Sequence, residues 1–323
     1  MLLNPVALQS LVAQLEAFPA VAEKARIDYA YRPAEEVSGG IRLGDDCAAI
    51  PDPVGGGHLL FAAEGMLPSF VEDDPWFAGY SAVMVNLSDV AAMGGRPVAI
   101  TDIIWSSDDG VQEQIWEGMK AASVAYGVPI VGGHTTPIPQ GFSSALGAAV
   151  LGRAGEKLIT SFDAKPGDRL MLLIDMKGEY RKGKPFWNAS TSTKPERLQT
   201  ELSLLAKVAD QGWSCAGKDI SNGGMAGTLA MLANTSKVAV ELDLDEVPIP
   251  EDTSWGEWLT SFPSYGYFLA VESADVASTQ NLFSDTGITA AECGVFEEGS
   301  GVSLHTGGFS SKMEFSPEAL DPV

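Results

Sequence analysis

The 323-residue sequence contains few basic side chains: 20 Lys and Arg stand against 43 Asp and Glu, which gives a formal net charge of −23. A surface of that sign repels phosphate backbones and anionic lipids, so nucleic acids and membranes are unfavourable partners. The need for solubility explains much of the acidity. The three cysteines, Cys47, Cys215 and Cys293, are too few and too widely spaced for a disulfide framework or a CxxC zinc site.

Long apolar runs and several catalytic motifs are also absent from the sequence. No uninterrupted apolar stretch reaches the roughly 18 residues of a membrane span, and the N-terminus lacks the basic and apolar regions of a signal peptide. These absences predict a cytoplasmic protein. The motifs G-x-G-x-x-G, G-x-S-x-G and H-E-x-x-H do not occur, which argues against dinucleotide enzymes, α/β-hydrolases and zinc proteases.

Apolar periodicity predicts helices and strands that alternate in both halves of the chain. The predicted helices span residues 4–31, 76–93, 111–126, 196–211 and 223–233. The predicted strands span residues 59–63, 97–104, 128–131, 144–151, 169–176, 238–244 and 267–271. With the length of the chain and a change of composition near residues 152–167, this alternation predicts an α/β or α+β fold with two domains.

Short acidic or glycine-flanked motifs stand at the ends of several apolar runs. They are Gly44-Asp45-Asp46, Glu64-Gly65, Asn86-Leu87-Ser88-Asp89, Gly132-Gly133-His134-Thr135-Thr136 and Asp219-Ile220-Ser221-Asn222-Gly223-Gly224. Carboxylates at strand and helix ends can converge, and converging carboxylates repel each other unless a cation joins them. Hard oxygen ligands select Mg²⁺ or Ca²⁺, and protein-bound Mg²⁺ usually also binds waters and phosphate oxygens. The motifs therefore predict a magnesium–nucleotide site.

The first motifs each have a structural alternative. Gly44 allows a turn in which Asp45 and Asp46 could reach one ion, although an Asp-Asp pair in a loop can simply be solvated. Asn86 and Asp89 are three residues apart in a predicted helix and therefore share a face. That placement fits either a ligand role or a buried polar network in which each group has its own partner.

The glycine motif follows a predicted strand. Gly132 and Gly133 are expected to end this strand and to let a phosphate approach the backbone, where the Thr135 hydroxyl could bind phosphate oxygens. A Gly-Gly turn is a weak signal without its companions. His134, taken alone, is more typical of a hydrogen-bonded structural histidine.

The Asp219 motif precedes a predicted helix. Backbone N–H groups at the start of a helix attract anions, so Ser221 and Asn222 could contribute to a phosphate site. Either side chain could equally be an ordinary helix N-cap. Both interpretations remain open from the sequence.

A basic loop follows the predicted strand 169–176 in a chain with little positive charge. It nearly matches the P-loop pattern, but Pro185 stands where a hydroxyl residue should bind magnesium, and it has no N–H for a phosphate cradle. A P-loop is therefore excluded. Arg181, Lys182 and Lys184 instead form a candidate contact for an anionic substrate.

Together and in this order, the motifs resemble the aminoimidazole ribonucleotide (AIR) synthase superfamily, whose members include thiamine-monophosphate kinase and selenophosphate synthetase. The resemblance is strong over residues 44–151 and looser afterwards. Residues 85–97, Val-Asn-Leu-Ser-Asp-Val-Ala-Ala-Met-Gly-Gly-Arg-Pro, carry its most specific part. The resemblance implies a two-domain PurM-like fold. Residues 1–155 would form an N-terminal mixed sheet with helices that dimerises, and residues 156–323 a C-terminal α/β sandwich.

The resemblance also implies ATP and Mg²⁺ as cofactors, bound in the cleft between the two domains. The implied metal ligands are Asp45, Asp46, Glu64, Asp89 and Asp219, of which Asp45, Asp89 and Asp219 would act directly in catalysis. The implied nucleotide contacts are Gly44, Asn86, Gly132, Gly133, His134, Thr135, Ser221 and Asn222. The candidate substrate contacts, Arg181, Lys182 and Lys184, come from the basic loop itself and not from the resemblance.

The expected function is ATP- and Mg²⁺-dependent phosphoryl transfer to a small-molecule acceptor by a homodimer, and the basic loop would suit an anionic acceptor. Three departures from the pattern favour an alternative: Glu64 replaces an Asp, His134 replaces a carboxylate, and Asn222 replaces a second Asp. The alternative is a nucleotide-binding regulatory or partner protein without turnover. A metal-stabilised structural protein, the third interpretation, would bind Ca²⁺ tightly and be indifferent to nucleotide.

Overall fold

The computed structural model of the chain describes residues 3–24, 39, 41–181 and 183–314. The helices are α1 (Pro5–Glu16), α2 (Pro19–Lys24), α3 (Pro68–Asp73), α4 (Pro75–Ala92), α5 (Asp109–Tyr126), α6 (Pro195–Leu202), α7 (Leu204–Gln211), α8 (Gly224–Ser236), α9 (Trp255–Leu259) and α10 (Val276–Phe283). The strands are β1 (Ala48–Pro51), β2 (His58–Met66), β3 (Arg96–Ser106), β4 (Ile130–Pro137), β5 (Ala145–Ala154), β6 (Arg169–Asp175), β7 (Glu179–Tyr180), β8 (Phe186–Asn188), β9 (Ser214–Asp219), β10 (Ala239–Asp243), β11 (Phe262–Pro263), β12 (Gly266–Val271), β13 (Ile288–Glu297), β14 (Gly301–Thr306) and β15 (Phe309–Met313). Within these residues, no helix has the length and apolar character needed to cross a membrane.

The chain divides into two compact units, each of which is discontinuous in sequence. The five-stranded unit comprises Asp46–Leu158 and Thr191–Asp210. The seven-stranded unit comprises the described residues within Met1–Asp45, Ile159–Ser190 and Gln211–Val323. The mixed α/β architecture is confirmed, whereas the predicted domains 1–155 and 156–323 stay a prediction.

The five-stranded unit contains a mixed sheet with the strand order β1-β2-β5-β3-β4. Its pairings are antiparallel, except that β3 and β4 run parallel. Helix α4 packs against β2, β5 and β3 on one side and against α5 on the other. This double contact explains why nearly every residue of α4 is buried. Pro75 begins the helix, and Gly94, with φ of 73°, follows its C-terminal cap.

The seven-stranded unit contains a sheet with the order β15-β14-β10-β13-β6-β12-β9 and a small sheet with the order β11-β8-β7. Helix α1 packs against β14 and β15, and α8 packs against β9, β10 and β14. Leu8, Leu11 and Leu15 of α1 are buried in the same core as Leu229 of α8 and Leu172 of β6. The three- and four-residue spacing of the α1 leucines places them on one helix face, which explains this packing.

The predicted elements are confirmed in type and approximate position, with three differences. The predicted helix 4–31 is divided before Pro19, which lacks an N–H for helical hydrogen bonding, and residues 25–31 lie outside the described residues. The predicted helix 196–211 is divided at Ser203. The prediction that the glycine pair ends a strand was wrong, since β4 continues through Gly132 and Gly133.

Candidate functional site

In the five-stranded unit, Asp46 and Asp89 come together. Asp46 lies in the bend before β1, and Asp89 lies in the last turns of α4. A carboxylate oxygen of one lies within 4.8 Å of a carboxylate oxygen of the other. Asp89 is almost fully buried. Two carboxylates at this separation repel each other in a poorly hydrated site, whereas a divalent cation would bind both.

Asn86 lies one turn before Asp89 on α4 and is fully buried. Its side-chain amide donates to the Ala82 carbonyl oxygen at 2.7 Å. Its Oδ1 atom accepts no hydrogen bond from the residues that the structure describes. Asn86 and Asp89 form a polar strip on a mostly apolar, buried helix, and the free Oδ1 gives this strip an acceptor for a ligand.

Glu64 lies on β2 of the same unit and is exposed, opposite Ala148 of β5. It does not join Asp46 and Asp89: over the described ranges, no third carboxylate, imidazole or thiolate of this unit comes within 4.8 Å of both. Glu64 is therefore separate from the Asp46–Asp89 pair in this conformation.

Asp45 belongs to the seven-stranded unit and has different surroundings from Asp46. The preceding Gly44 has φ of 94°, a conformation that favours glycine. Both carboxylate oxygens of Asp45 accept from the backbone N–H of Ser161 at 3.1 Å. Burial raises the pKa of Asp45 to about 6, and the charge of Lys218, the Ser161 hydrogen bonds and Arg42 act in the opposite direction.

Lys218 and Asp219 end strand β9 of the seven-stranded unit, and both are buried. The ammonium of Lys218 lies 3.6 Å from an oxygen of Asp219. Burial lowers the pKa of Lys218, while Asp219 and Asp45 raise it. This unit therefore places one buried cation between two candidate metal ligands. The sequence interpretation missed Lys218, although a lysine directly before the Asp219 motif and inside a strand is an available signal.

Ser221 and Asn222 lie between β9 and α8. The N-cap position of α8 is Gly223, with φ of 93°, and no side chain caps the helix. The interpretation of Ser221 or Asn222 as an ordinary N-cap was therefore wrong. Asn222 is exposed and Ser221 is half-buried, and their contact with a nucleotide stays a prediction.

The glycine motif occupies an edge strand of the five-stranded unit. Gly132 and Gly133 pair in parallel with Thr101 and Asp102 of β3, and His134 and Thr135 follow in the same strand, all exposed. A Cβ atom at residue 133 would overlap the Asp102 carboxylate. Gly133 thus leaves space for the Asp102 carboxylate within the sheet, a reason for glycine that the sequence pattern did not show.

The basic loop lies between β7 and β8 in the seven-stranded unit. The backbone N–H of Lys184 donates to the Arg181 carbonyl oxygen at 2.9 Å, which closes the turn. Lys182 lies outside the described residues. The adjacent strands bring the rings of Tyr180 and Trp187 to 5.2 Å, edge to face. This aromatic contact between the two strands can stabilise the position of the loop that joins them.

Comparison with known proteins shows similarity along most of the chain. Residues 44–154 match the family model described as AIR synthase related protein, N-terminal domain, and residues 165–307 match that for the C-terminal domain. An uncharacterized protein of Synechocystis is 45% identical over 305 residues, which cover 93% of each chain.

Similarity extends to a protein named as a kinase and to solved structures. A thiamine-monophosphate kinase of Pyrococcus horikoshii is 30% identical over 200 residues, which cover 58% of this chain and 60% of that protein. The solved structure of AaThiL complexed with AMPPCP and TMP has a TM-score of 0.66 and 19% identity, with 89% of this chain and 96% of that chain covered. The structural likeness shows that the two chains share a fold.

Proposed function

The chain belongs to the AIR synthase-related family, and we propose that it is an ATP- and Mg²⁺-dependent phosphotransferase with a small-molecule acceptor. The approach of Asp46 and Asp89 within 4.8 Å carries this proposal. The kinase name of the Pyrococcus relative and the AMPPCP, an ATP analogue, in the AaThiL complex support a nucleotide-dependent transfer.

The residues present fit magnesium. In the five-stranded unit, the carboxylates of Asp46 and Asp89 lie close enough to bind one cation. In the seven-stranded unit, the carboxylates of Asp45 and Asp219 both interact with the positive charge of Lys218. We assign the Mg²⁺ ligands to Asp45, Asp46, Asp89 and Asp219, with Glu64 as a further candidate. Bound Mg²⁺ would neutralise the charge of the ATP phosphates, which is the main requirement of phosphoryl transfer.

The remaining predicted residues have roles in orientation. Asn86 offers a buried Oδ1 acceptor, and the uncapped start of α8 leaves Ser221 and Asn222 for the nucleotide. We assign nucleotide contacts also to Gly44, Gly132, Gly133, His134 and Thr135. Arg181, Lys182 and Lys184 would attract and orient an anionic acceptor, because guanidinium and ammonium groups form strong, charge-assisted hydrogen bonds with phosphate and carboxylate groups.

Thermal unfolding with Mg²⁺ and a non-hydrolysable ATP analogue tests the nucleotide site. A ligand at 100 times its Kd should stabilise the wild-type protein by about 2.7 kcal/mol, a rise in Tm of a few degrees. Asp89→Asn should lose this rise and reduce turnover by at least ~100-fold, since it removes one of the two carboxylates that would bind the cation. The control is Asp109→Asn, at an exposed carboxylate in the first turn of α5.

The outcomes separate the interpretations. An Asp89→Asn protein that is unfolded without ligand would support a buried polar network in α4 instead of a metal site. ATP binding without acceptor-dependent ADP release, over a broad panel of acceptors, would favour the regulatory protein without turnover. No ligand-dependent rise in Tm for the wild-type protein would contradict the nucleotide site.

The five-stranded sheet suggests how the chain self-associates. On the face opposite α4, the side chains of Phe61, Ile103, Trp105 and Leu151 are exposed, and small residues such as Ala149 lie between them. Exposed apolar patches of this kind mark interaction surfaces. Because each copy has a net charge of −23, two copies would meet most favourably through an uncharged face. We propose a homodimer that forms through this face.

A charge placed on that face should dissociate the dimer. We expect Ile103→Lys to lower the molar mass measured by light scattering from that of a dimer to that of a monomer, because two buried ammonium groups would lack partners. Val54→Lys, at an exposed loop position of the same unit, should leave the mass unchanged. A wild-type protein that is monomeric at micromolar concentration would contradict the proposal.

A further inference from the structure

Arg42 is a cation that the function described above does not use. It lies in the seven-stranded unit, just before Gly44 and Asp45. Its guanidinium carbon lies 3.9 Å from the centre of the Phe162 ring, and its Nη1 atom lies 3.6 Å from Oδ1 of Asp163. The cation–π contact and the ion pair together fix the orientation of the guanidinium group.

The N–H donors of Arg42 are not used by the fold. A guanidinium group carries several donors, yet none of them donates a hydrogen bond to any residue that the structure describes. The 3.6 Å contact with Asp163 is an ion pair that is too long for a strong hydrogen bond. Because 61% of the Arg42 side chain is exposed, these donors are accessible to a ligand. An arginine that is held in place with accessible donors is suited to binding an anion.

The support under Arg42 is itself firmly anchored. Phe162 belongs to a segment whose first residue, Thr160, exchanges backbone hydrogen bonds with β9 in both directions. The carbonyl oxygen of Ser161 accepts from the hydroxyls of Thr235, at 2.5 Å, and Ser236, at 2.8 Å, in the last turn of α8. A strand and a helix therefore fix the backbone on which the Phe162 ring stands, so the position of Arg42 is set before any ligand arrives.

The same segment holds a predicted metal ligand beside Arg42. Both carboxylate oxygens of Asp45 accept from the backbone N–H of Ser161, and the next residue, Phe162, carries the guanidinium group. Burial raises the pKa of Asp45 most, while the Arg42 charge is near enough to lower it. A Mg²⁺ ion on a carboxylate keeps coordination positions for phosphate oxygens, and an adjacent arginine can bind further oxygens of the same phosphate chain through two parallel N–H groups.

We propose that Arg42 binds the phosphate chain of the nucleotide beside Asp45, and that Phe162 is the positioning residue that orients it. The identity of the anion as a nucleotide rests on the proposed function. A chain with a net charge of −23 repels such a ligand, so a fixed cation at this point offsets the repulsion locally. The contribution of Arg42 to affinity should therefore grow with the number of phosphates and be small for a monophosphate.

Isothermal titration calorimetry in Mg²⁺ with AMPPCP, AMP and inorganic tripolyphosphate tests this role. Arg42→Gln should weaken AMPPCP and tripolyphosphate by at least about tenfold, the loss of one hydrogen bond to a charged group, and AMP by less than about threefold. Phe162→Leu should weaken AMPPCP by an intermediate factor, since the guanidinium group remains but is no longer held. Arg96→Gln is the matched control, because Arg96 is also exposed and ion-paired, to Asp210, and it should bind as the wild-type protein does.

The three probes separate this inference from the proposed function. If the wild-type protein binds tripolyphosphate through Arg42 but binds no nucleotide, the anion site stands and the phosphotransferase proposal fails. If AMPPCP binds equally well to Arg42→Gln and to the wild-type protein, Arg42 only packs on Phe162 and the inference is wrong. An equal loss for AMP and AMPPCP would also contradict it. If Arg42→Gln does not fold, Arg42→Lys decides, because lysine keeps the charge but lacks the paired donors and should still bind AMPPCP more weakly.

Discussion

Replacing Lys218 with Met is expected to lower the free energy of unfolding by about 3–5 kcal/mol, because it removes one partner of a buried ion pair. The Lys218 ammonium lies 3.6 Å from Asp219 and interacts electrostatically with Asp45. Met is unbranched like Lys, is one atom shorter and carries no charge. The buried Asp219 carboxylate and the half-buried Asp45 carboxylate would then lose the charge of Lys218, and denaturant unfolding in the presence of a chelator measures the cost.

Two further measurements identify the cause of this loss. Lys218→Met combined with Asp219→Asn should be more stable than the sum of the single effects, since the double change removes both charges. Saturating Mg²⁺ should restore part of the stability of Lys218→Met if Asp45 and Asp219 are metal ligands. Lys312→Met, at an exposed lysine of β15, is the control. A Lys218→Met protein as stable as this control would show that the carboxylates do not depend on Lys218.

Replacing Gly118 with Ala is expected to lower the free energy of unfolding by about 3 kcal/mol, at the upper end of the range for overpacking a core. Helices α4 and α5 touch through two glycines. A Cβ atom on Gly118 would overlap the carbonyl oxygen of Trp76, and one on Gly79 would overlap that of Ile115. These obstacles are backbone atoms, so the helices must separate. Because α4 carries Asn86 and Asp89, their separation should also weaken Mg²⁺ binding.

The control for this prediction lies in the same helix. Gly110 is in the first turn of α5, where an added Cβ would meet only the flexible Asp108 side chain, at 3.2 Å. Gly110→Ala should leave stability unchanged or raise it by up to about 1 kcal/mol, as helix propensity predicts. Urea denaturation of both variants gives the comparison. Equal stabilities for the two would contradict the close helix contact.

The sequence was most informative where local pattern and function coincide. Residues 76–93 are apolar at helical spacing with one polar interruption, and the structure confirms the helix, its end before Gly94 and the burial of Asn86 and Asp89. Periodicity sufficed here because a helix enclosed on both sides must be apolar except where a polar group has a specific role. The same pattern supported assignment to the family.

Local pattern was misleading at Gly132 and Gly133. A glycine pair after an apolar run usually indicates a turn, yet β4 continues through it. The reason for glycine at residue 133 lies 31 residues earlier: the Asp102 carboxylate on the neighbouring strand occupies the space that a side chain at residue 133 would fill. Strand register sets that relation, and a sequence pattern does not show the register between distant strands.

The residues alone therefore established the alternating helices and strands, the acidic motifs and the family, since these depend on local spacing and on side-chain chemistry. Only the folded chain decided which groups lie beside each acidic side chain. Folding brings Asp46 to Asp89, buries Lys218 beside Asp219 and leaves Asp102 without a hydrogen-bonding partner among the described residues. Electrostatic interactions depend on distance and burial, and both arise when strands far apart in sequence align in one sheet.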